Sequence, residues 1–159
     1  MKMNFEPLYV AYLVYFNRDR DYFECHEVLE ELWLEQERDP RYKGLLQAAV
    51  GLFHFRNHNV RGAYKMFNSA IKQLEPYAED ELGIEMGVLV SEMRRYAKQL
   101  AAYDILPIAY RDLSIEIWDP RLQTAVDQAS QDIRPNIPQR TKPERPRPKP
   151  GAMQTTGHS

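Results

Sequence analysis

Between Asp39-Pro40 and Asn57 the chain places apolar side chains around most of a helix's circumference: Tyr42, Leu45, Leu46, Ala48, Ala49, Val50, Leu52, Phe53 and Phe55. At roughly 100° per residue, one polar stripe remains, made of Lys43, Gln47, His54 and His58, with Gly44 and Gly51 beside it. A helix that is apolar on nearly every side has to be covered on nearly every side. This segment therefore belongs at the centre of a helical bundle. Asp39 is a good cap and Pro40 suits the first helical position. The tripeptide Asn57-His58-Asn59 ends the helix, because asparagine tolerates left-handed backbone and also caps helices. Glycines inside a helix cost about 1 kcal/mol each relative to alanine, so Gly44 and Gly51 on one edge point to close approach by another backbone or a ligand.

The flanking segments supply the covering helices. A first helix is expected over Glu6–Asn17, with Pro7 tolerated in its opening turn. Asp21 caps a second, and Glu24 three residues on gives a box-like start. A fourth carries Val60, Ala63, Tyr64, Phe67, Ala70, Ile71 and Leu74 on one face and ends at Pro76; a fifth covers Ile84–Tyr103. Beyond it Leu113, Ile115 and Ile117 alternate with polar residues, the pattern of a short extended segment. Asp119-Pro120 then opens a short last helix with Leu122, Ala125, Val126 and Ala129.

The expected fold is thus all-α: a single-domain bundle of five principal helices over residues 1–103, with a C-terminal appendage over 104–133. From about residue 134 the chain is rich in Pro, Arg and Lys, a composition that cannot bury enough apolar surface to offset chain entropy. Residues 134–159 are expected to be a disordered tail that folding does not need.

Composition narrows the function classes. At 43% hydrophobic residues one domain of this length has a real core. The single cysteine, Cys25, excludes an internal disulfide framework and fits a reducing, cytoplasmic setting; its place among apolar positions marks an ordinary buried thiol. Leu8–Phe16 follows Glu6-Pro7 and reads as a core helix rather than a leader, and no apolar run approaches the roughly 18 residues a membrane span needs. Residues 132–159 hold six Lys and Arg against two Asp and Glu, leaving the rest of the chain at −6 within a total of −2. An acidic body is not a nucleic-acid-binding surface, so polyanions are expected only at the basic tail.

The segment Tyr22-Phe23-Glu24-Cys25-His26-Glu27-Val28-Leu29-Glu30-Glu31-Leu32-Trp33 carries the candidate chemistry. On a helical projection Tyr22, Cys25, Val28, Leu29, Leu32 and Trp33 form an apolar arc with His26 at its edge beside Trp33. Glu30 follows about 40° further round, bracketed by Trp33 on one side and Phe23 and Leu34 on the other. His26 and Glu30, at i and i+4, are surface neighbours, so the carboxylate can accept an imidazole N–H and orient the ring. Glu27 lies further round and is the weaker partner. Polar groups among aromatics are costly unless paired or used. The polar stripe of the third helix, with Gln47 and His54, is expected to face this one, since each would otherwise be buried alone.

The pattern Tyr22-Phe23-Glu24-x-His26-Glu27-Val28-Leu29-Glu30-Glu31-x-Trp33 resembles the signature of the family known as domain of unknown function 309. So does the later run Leu46-Gln47-x-Ala49-Val50, His54 and Asn59-x-x-Gly62-Ala63, in the same order and spacing. The resemblance covers about residues 8–75 and implies a small all-α bundle with no established activity. It carries over His26, Glu27, Glu30, Trp33, Gln47, His54, Asn59 and Gly62 as signature positions. His58 departs from it, standing where glycine is usual.

Three functions fit these features. The first is binding of a small polar ligand by His26, Glu27, Glu30, Trp33, Gln47 and His54, with His26 and Glu30 as the candidates for any catalysis. The second is a tetratricopeptide-like interaction module in which the cluster is structural, serving a protein partner or a homo-oligomer. The third is a metal-dependent hydrolase. The motif is His-Glu-x-x-Glu rather than His-Glu-x-x-His, and a third ligand would have to come from His54, so no metal site and no cofactor is assigned. No nucleophile motif, phosphate loop or dinucleotide fingerprint names a reaction class.

Overall fold

The computed structural model describes residues 5–78 and 81–135, and the described chain is all-α. Six α-helices follow in order: α1 (Pro7–Val14), α2 (Tyr22–Glu35), α3 (Pro40–Arg56), α4 (Val60–Leu74), α5 (Met86–Ala101) and α6 (Pro120–Asp132). The expected tail lies outside the described residues beyond Pro135. α3 packs on both α2 and α4, α4 on α5, and α1 on α2 and α6. Its central place follows from its sequence: Leu45, Leu46, Ala48, Ala49, Leu52 and Phe55 are all buried.

The helix starts are local and legible. Asp39 accepts the Arg41 N–H at 2.9 Å and Asp119 the Arg121 N–H at 2.9 Å, in two copies of one Asp-Pro-Arg turn. In both, the arginine folds back onto the capping carboxylate, at 2.7 Å and 2.8 Å. Asp21 caps α2 through the Glu24 N–H at 3.1 Å. Its own N–H goes to the Tyr15 carbonyl at 3.0 Å, closing a π-helical turn, Tyr15–Asp19, that continues α1. The left-handed residue between α3 and α4 is His58, at φ 67°, rather than either asparagine. That is the position where the resemblance places glycine, the residue such a backbone favours.

The glycines of α3 are explained by α4. A Cβ at Gly51 would sit 2.7 Å from the Phe67 ring, and one at Gly44 would sit 2.6 Å from Leu74 Cδ2. These two pairings make α3 and α4 antiparallel and closely seated. The close approach on this edge is thus by side chains of α4, not by the backbone or ligand expected.

Residues 104–119 cross back over the bundle. Leu113 and Ile115 are buried while Ser114 and Glu116 are exposed, as the alternation requires. In place of a sheet, Ile84 and Ile117 form one antiparallel bridge, and the Asn17 carboxamide serves Ile115 as a strand would. It donates to the Ile115 carbonyl at 2.8 Å and accepts the Ile115 N–H at 2.9 Å. Tyr22 and Tyr110 both donate to Asp112, at 3.0 Å and 2.6 Å. The fully buried Tyr9, Tyr12 and Tyr96 likewise give their hydroxyls to the carbonyls of Leu82, Leu45 and Arg111, as buried phenols must.

Candidate functional site

Two facing edges build the site. Phe23 on α2 meets Phe53 on α3, with ring centroids 6.0 Å apart, and the Lys43 ammonium lies 4.3 Å from the Trp33 ring centroid. These contacts set an antiparallel register in which Phe23, His26, Glu30 and Trp33 run alongside Phe53, Val50, Leu46 and Lys43. Gln47 sits one position from that line, between Lys43 and His54 on the same stripe.

The imidazole of His26 is bracketed by carboxylates. Its Nδ1 is 3.7 Å from Glu27 and its Nε2 is 3.7 Å from Glu30. The imidazole is 13% exposed, against 32% and 38% for the two carboxylates, so the ring is mostly covered and its partners meet solvent. Glu27, the weaker partner on the helical projection, stands as near as Glu30. A helical projection places only side-chain origins, whereas a glutamate three bonds long swings back over its neighbour. From Asp21 to Glu37 the chain holds seven carboxylates and neither lysine nor arginine, so α2 has an acidic outer face.

Around this group the surroundings are more polar than the sequence implied. Trp33 is half-buried and packs against the core, with the Arg38 guanidinium 4.9 Å from its ring centroid and Lys43 on it as well. Such cation–π contacts keep an aromatic ring at the surface while desolvating its faces. Leu34, expected to flank Glu30, is 52% exposed. Gln47 is 8% exposed, and its amide oxygen is buried with no hydrogen-bond partner among the described residues. Buried carbonyls without partners are rare and costly, at roughly 1–3 kcal/mol.

His54 takes a separate role. Its hydrogen bond goes to Asn59, with Nδ1 at 3.3 Å from the amide nitrogen. The Asn59 amide oxygen is committed to the Gly62 N–H at 2.9 Å, capping α4. That commitment turns the Asn59 NH₂ toward His54 and requires an unprotonated Nδ1. A Cβ at Gly62 would stand 2.5 Å from the Asn59 amide, so three signature positions form one capping device. The rings of Phe23 and Phe53 link His26 to His54, at 6.3, 6.0 and 6.1 Å in succession.

Burial holds the His54 imidazole below its ordinary value. A histidine that binds its proton more weakly folded than unfolded makes acid favour the unfolded chain. Its contribution is intact above the unfolded value of about 6.5 and is lost as the pH falls below it. Melting temperature should therefore decline more steeply from about pH 7 to pH 5 in the wild type than in His54→Gln. Equal slopes would show that the ring takes its proton freely in the fold.

Cys25 is fully buried, with its thiol 3.5 Å from the Tyr12 carbonyl, and burial pushes its pKa well up. Both make it the ordinary buried thiol that its place among apolar positions implies. Among the described residues no group of three or more His, Cys, Asp or Glu side chains is arranged to hold a metal ion. No helix among them is long and apolar enough to cross a membrane. No local pattern marks the Tyr22–Tyr110–Asp112 cluster, whose members meet through the return of the 104–119 segment.

A family model described as domain of unknown function (DUF309) matches residues 9–66. The chain is 37% identical over 122 residues to the uncharacterized protein YpuF of Bacillus subtilis (strain 168), covering 74% of this chain and 68% of that one. It is 28% identical over 83 residues to an uncharacterized protein of Aquifex aeolicus (strain VF5), covering 50% of this chain and 24% of the other. No solved structure matches.

Proposed function

The chain belongs to the DUF309 family, and we propose that within this fold the α2–α3 edge binds a small polar ligand rich in N–H donors. The observation that carries this reading is the bracketed imidazole: both nitrogens of His26 lie 3.7 Å from a partly exposed carboxylate. The Gln47 amide oxygen on the neighbouring stripe adds a further acceptor. An amine, guanidine or amide would bring N–H donors to these acceptors. Glu27 and Glu30 would pair with its charge, and His26 would read its position through the proton it holds. His54, occupied in the Asn59 cap, supports the fold of the stripe more than the ligand.

The test is a thermal-shift screen of small amines, guanidines, amides and divalent metal ions on wild type, His26→Ala, Glu30→Gln and His54→Ala. A compound should raise the wild-type melting temperature, as ligands that bind only the folded state do. Glu30→Gln should keep the fold, since an exposed ion pair contributes at most about 1 kcal/mol, and should lose that shift. If every substitution destabilises the chain and no compound stabilises the wild type selectively, the cluster is a packing motif and the reading fails.

A further inference from the structure

Away from this edge, the N-terminal turns of α4 and the end of α5 enclose a groove of about 470 Å³, lined by Val60, Arg61, Tyr64, Leu100, Tyr103 and Asp104 among others. Immediately after Asp104 the chain projects Ile105 and Leu106, which are 88% and 68% exposed. They are not on a frayed end. The Ile105 and Leu106 N–H groups both donate to the Ala102 carbonyl, at 3.0 Å and 2.8 Å. Behind the groove, Tyr103 meets Phe55 edge-on, with centroids 6.0 Å apart. A fixed turn thus presents two adjacent aliphatic side chains to water beside a recess lined by apolar, aromatic and charged side chains.

The patch contains its own complement. A projecting apolar pair and a recess lie side by side, and the recess holds one charge of each sign, Arg61 and Asp104. The ion pairs of the described chain involve neither of them. In a two-fold interface residue i of one copy meets residue j of the other, and j meets i. A patch with knob, recess and both charges satisfies that condition by itself, whereas a surface for an unrelated partner needs only one half of each pair. We propose that this chain forms a two-fold homodimer in which Ile105 and Leu106 of each copy enter the groove of the other and Arg61 faces the second copy's Asp104. Tyr64, 40% exposed at the groove, is the aromatic residue such a contact would cover.

Sedimentation velocity on the full chain across a concentration series tests the proposal. Wild type should show a monomer–dimer equilibrium. The double substitution Ile105→Asp with Leu106→Asp should weaken dimerisation by about a hundredfold or more, since it replaces the two apolar side chains the contact would bury with carboxylates that lose their water. Arg61→Glu or Asp104→Arg alone should weaken it about tenfold by placing like charges opposite each other. The two together should restore it to near the wild-type constant. All four positions are exposed, so circular dichroism should remain that of the wild type. A wild type that is monomeric at its highest soluble concentration, a dimer indifferent to the Asp substitutions, or a charge swap without rescue would each overturn the proposal.

Discussion

Gly51→Ala should destabilise the chain by about 2–3 kcal/mol, with a fall in melting temperature on the order of 6–10 °C. The direction opposes local propensity, which favours alanine over glycine in a helix interior by about 1 kcal/mol. The decision rests on space. The added methyl would lie 2.7 Å from the Phe67 ring, and that ring cannot retreat. Phe67 is fully buried and stacked on Tyr96 at 5.1 Å with an interplanar angle of 17°. Tyr96 is in turn held by the Arg111 backbone through both its N–H and its carbonyl, each at 2.9 Å. Either α3 and α4 move apart along their length or the aromatic stack is rebuilt. Denaturant unfolding monitored by circular dichroism would measure the loss. A stabilised variant would mean that the two helices are seated less closely than the structure has them.

Asn17→Ala should cost about 2–4 kcal/mol, because it removes two hydrogen bonds and orphans both backbone groups of a buried residue. Asn17 gives Ile115 the donor and acceptor that a neighbouring strand would give, and Ile115 is 2% exposed. Asn17→Asp should recover only part of the loss, since a carboxylate can accept from the Ile115 N–H but cannot donate to its carbonyl. Hydrogen exchange would locate the effect. The amides of residues 113–118 should lose protection before those of α3 and α4. Uniform loss across the molecule would show that the crossing segment opens only with the whole bundle.

Most of the architecture was legible because its determinants are local. Asp-Pro at 39–40 and 119–120, Asp21 and Asn59 announce helix starts through groups one to three residues apart, and the apolar circumference of 40–57 demanded a central helix. Even the alternation at 113–117 was readable as extended backbone. What it pairs with was not, since Asn17 is 98 residues away and nothing near it in sequence marks it as a surrogate strand. The same limit applies to the candidate site. His26 and Glu30 were visible from their i, i+4 spacing. The equal approach of Glu27 depends on side-chain torsions, and the loading of Trp33 with Arg38 and Lys43 depends on the turn between α2 and α3. Arg38 reaches that ring from a left-handed residue, at φ 60°, which helical periodicity could not foresee. The commitment of His54 to Asn59 was hidden for another reason: the cap and the histidine were each recognised, but not their sharing of one amide.

Ligand binding at the α2–α3 edge would register first on the His26 ring itself. The measurement is a titration of the wild-type chain with methylguanidinium, an alkylammonium and a primary amide, followed by the imidazole nitrogen and carbon resonances in NMR. At least one of these should move the His26 signals saturably while leaving the exposed His58 unmoved, and in Glu30→Gln it should move neither. If His26 stays fixed under all three while the fold is intact, the bracketed imidazole is part of the packing of α2 on α3 and binds nothing of this class.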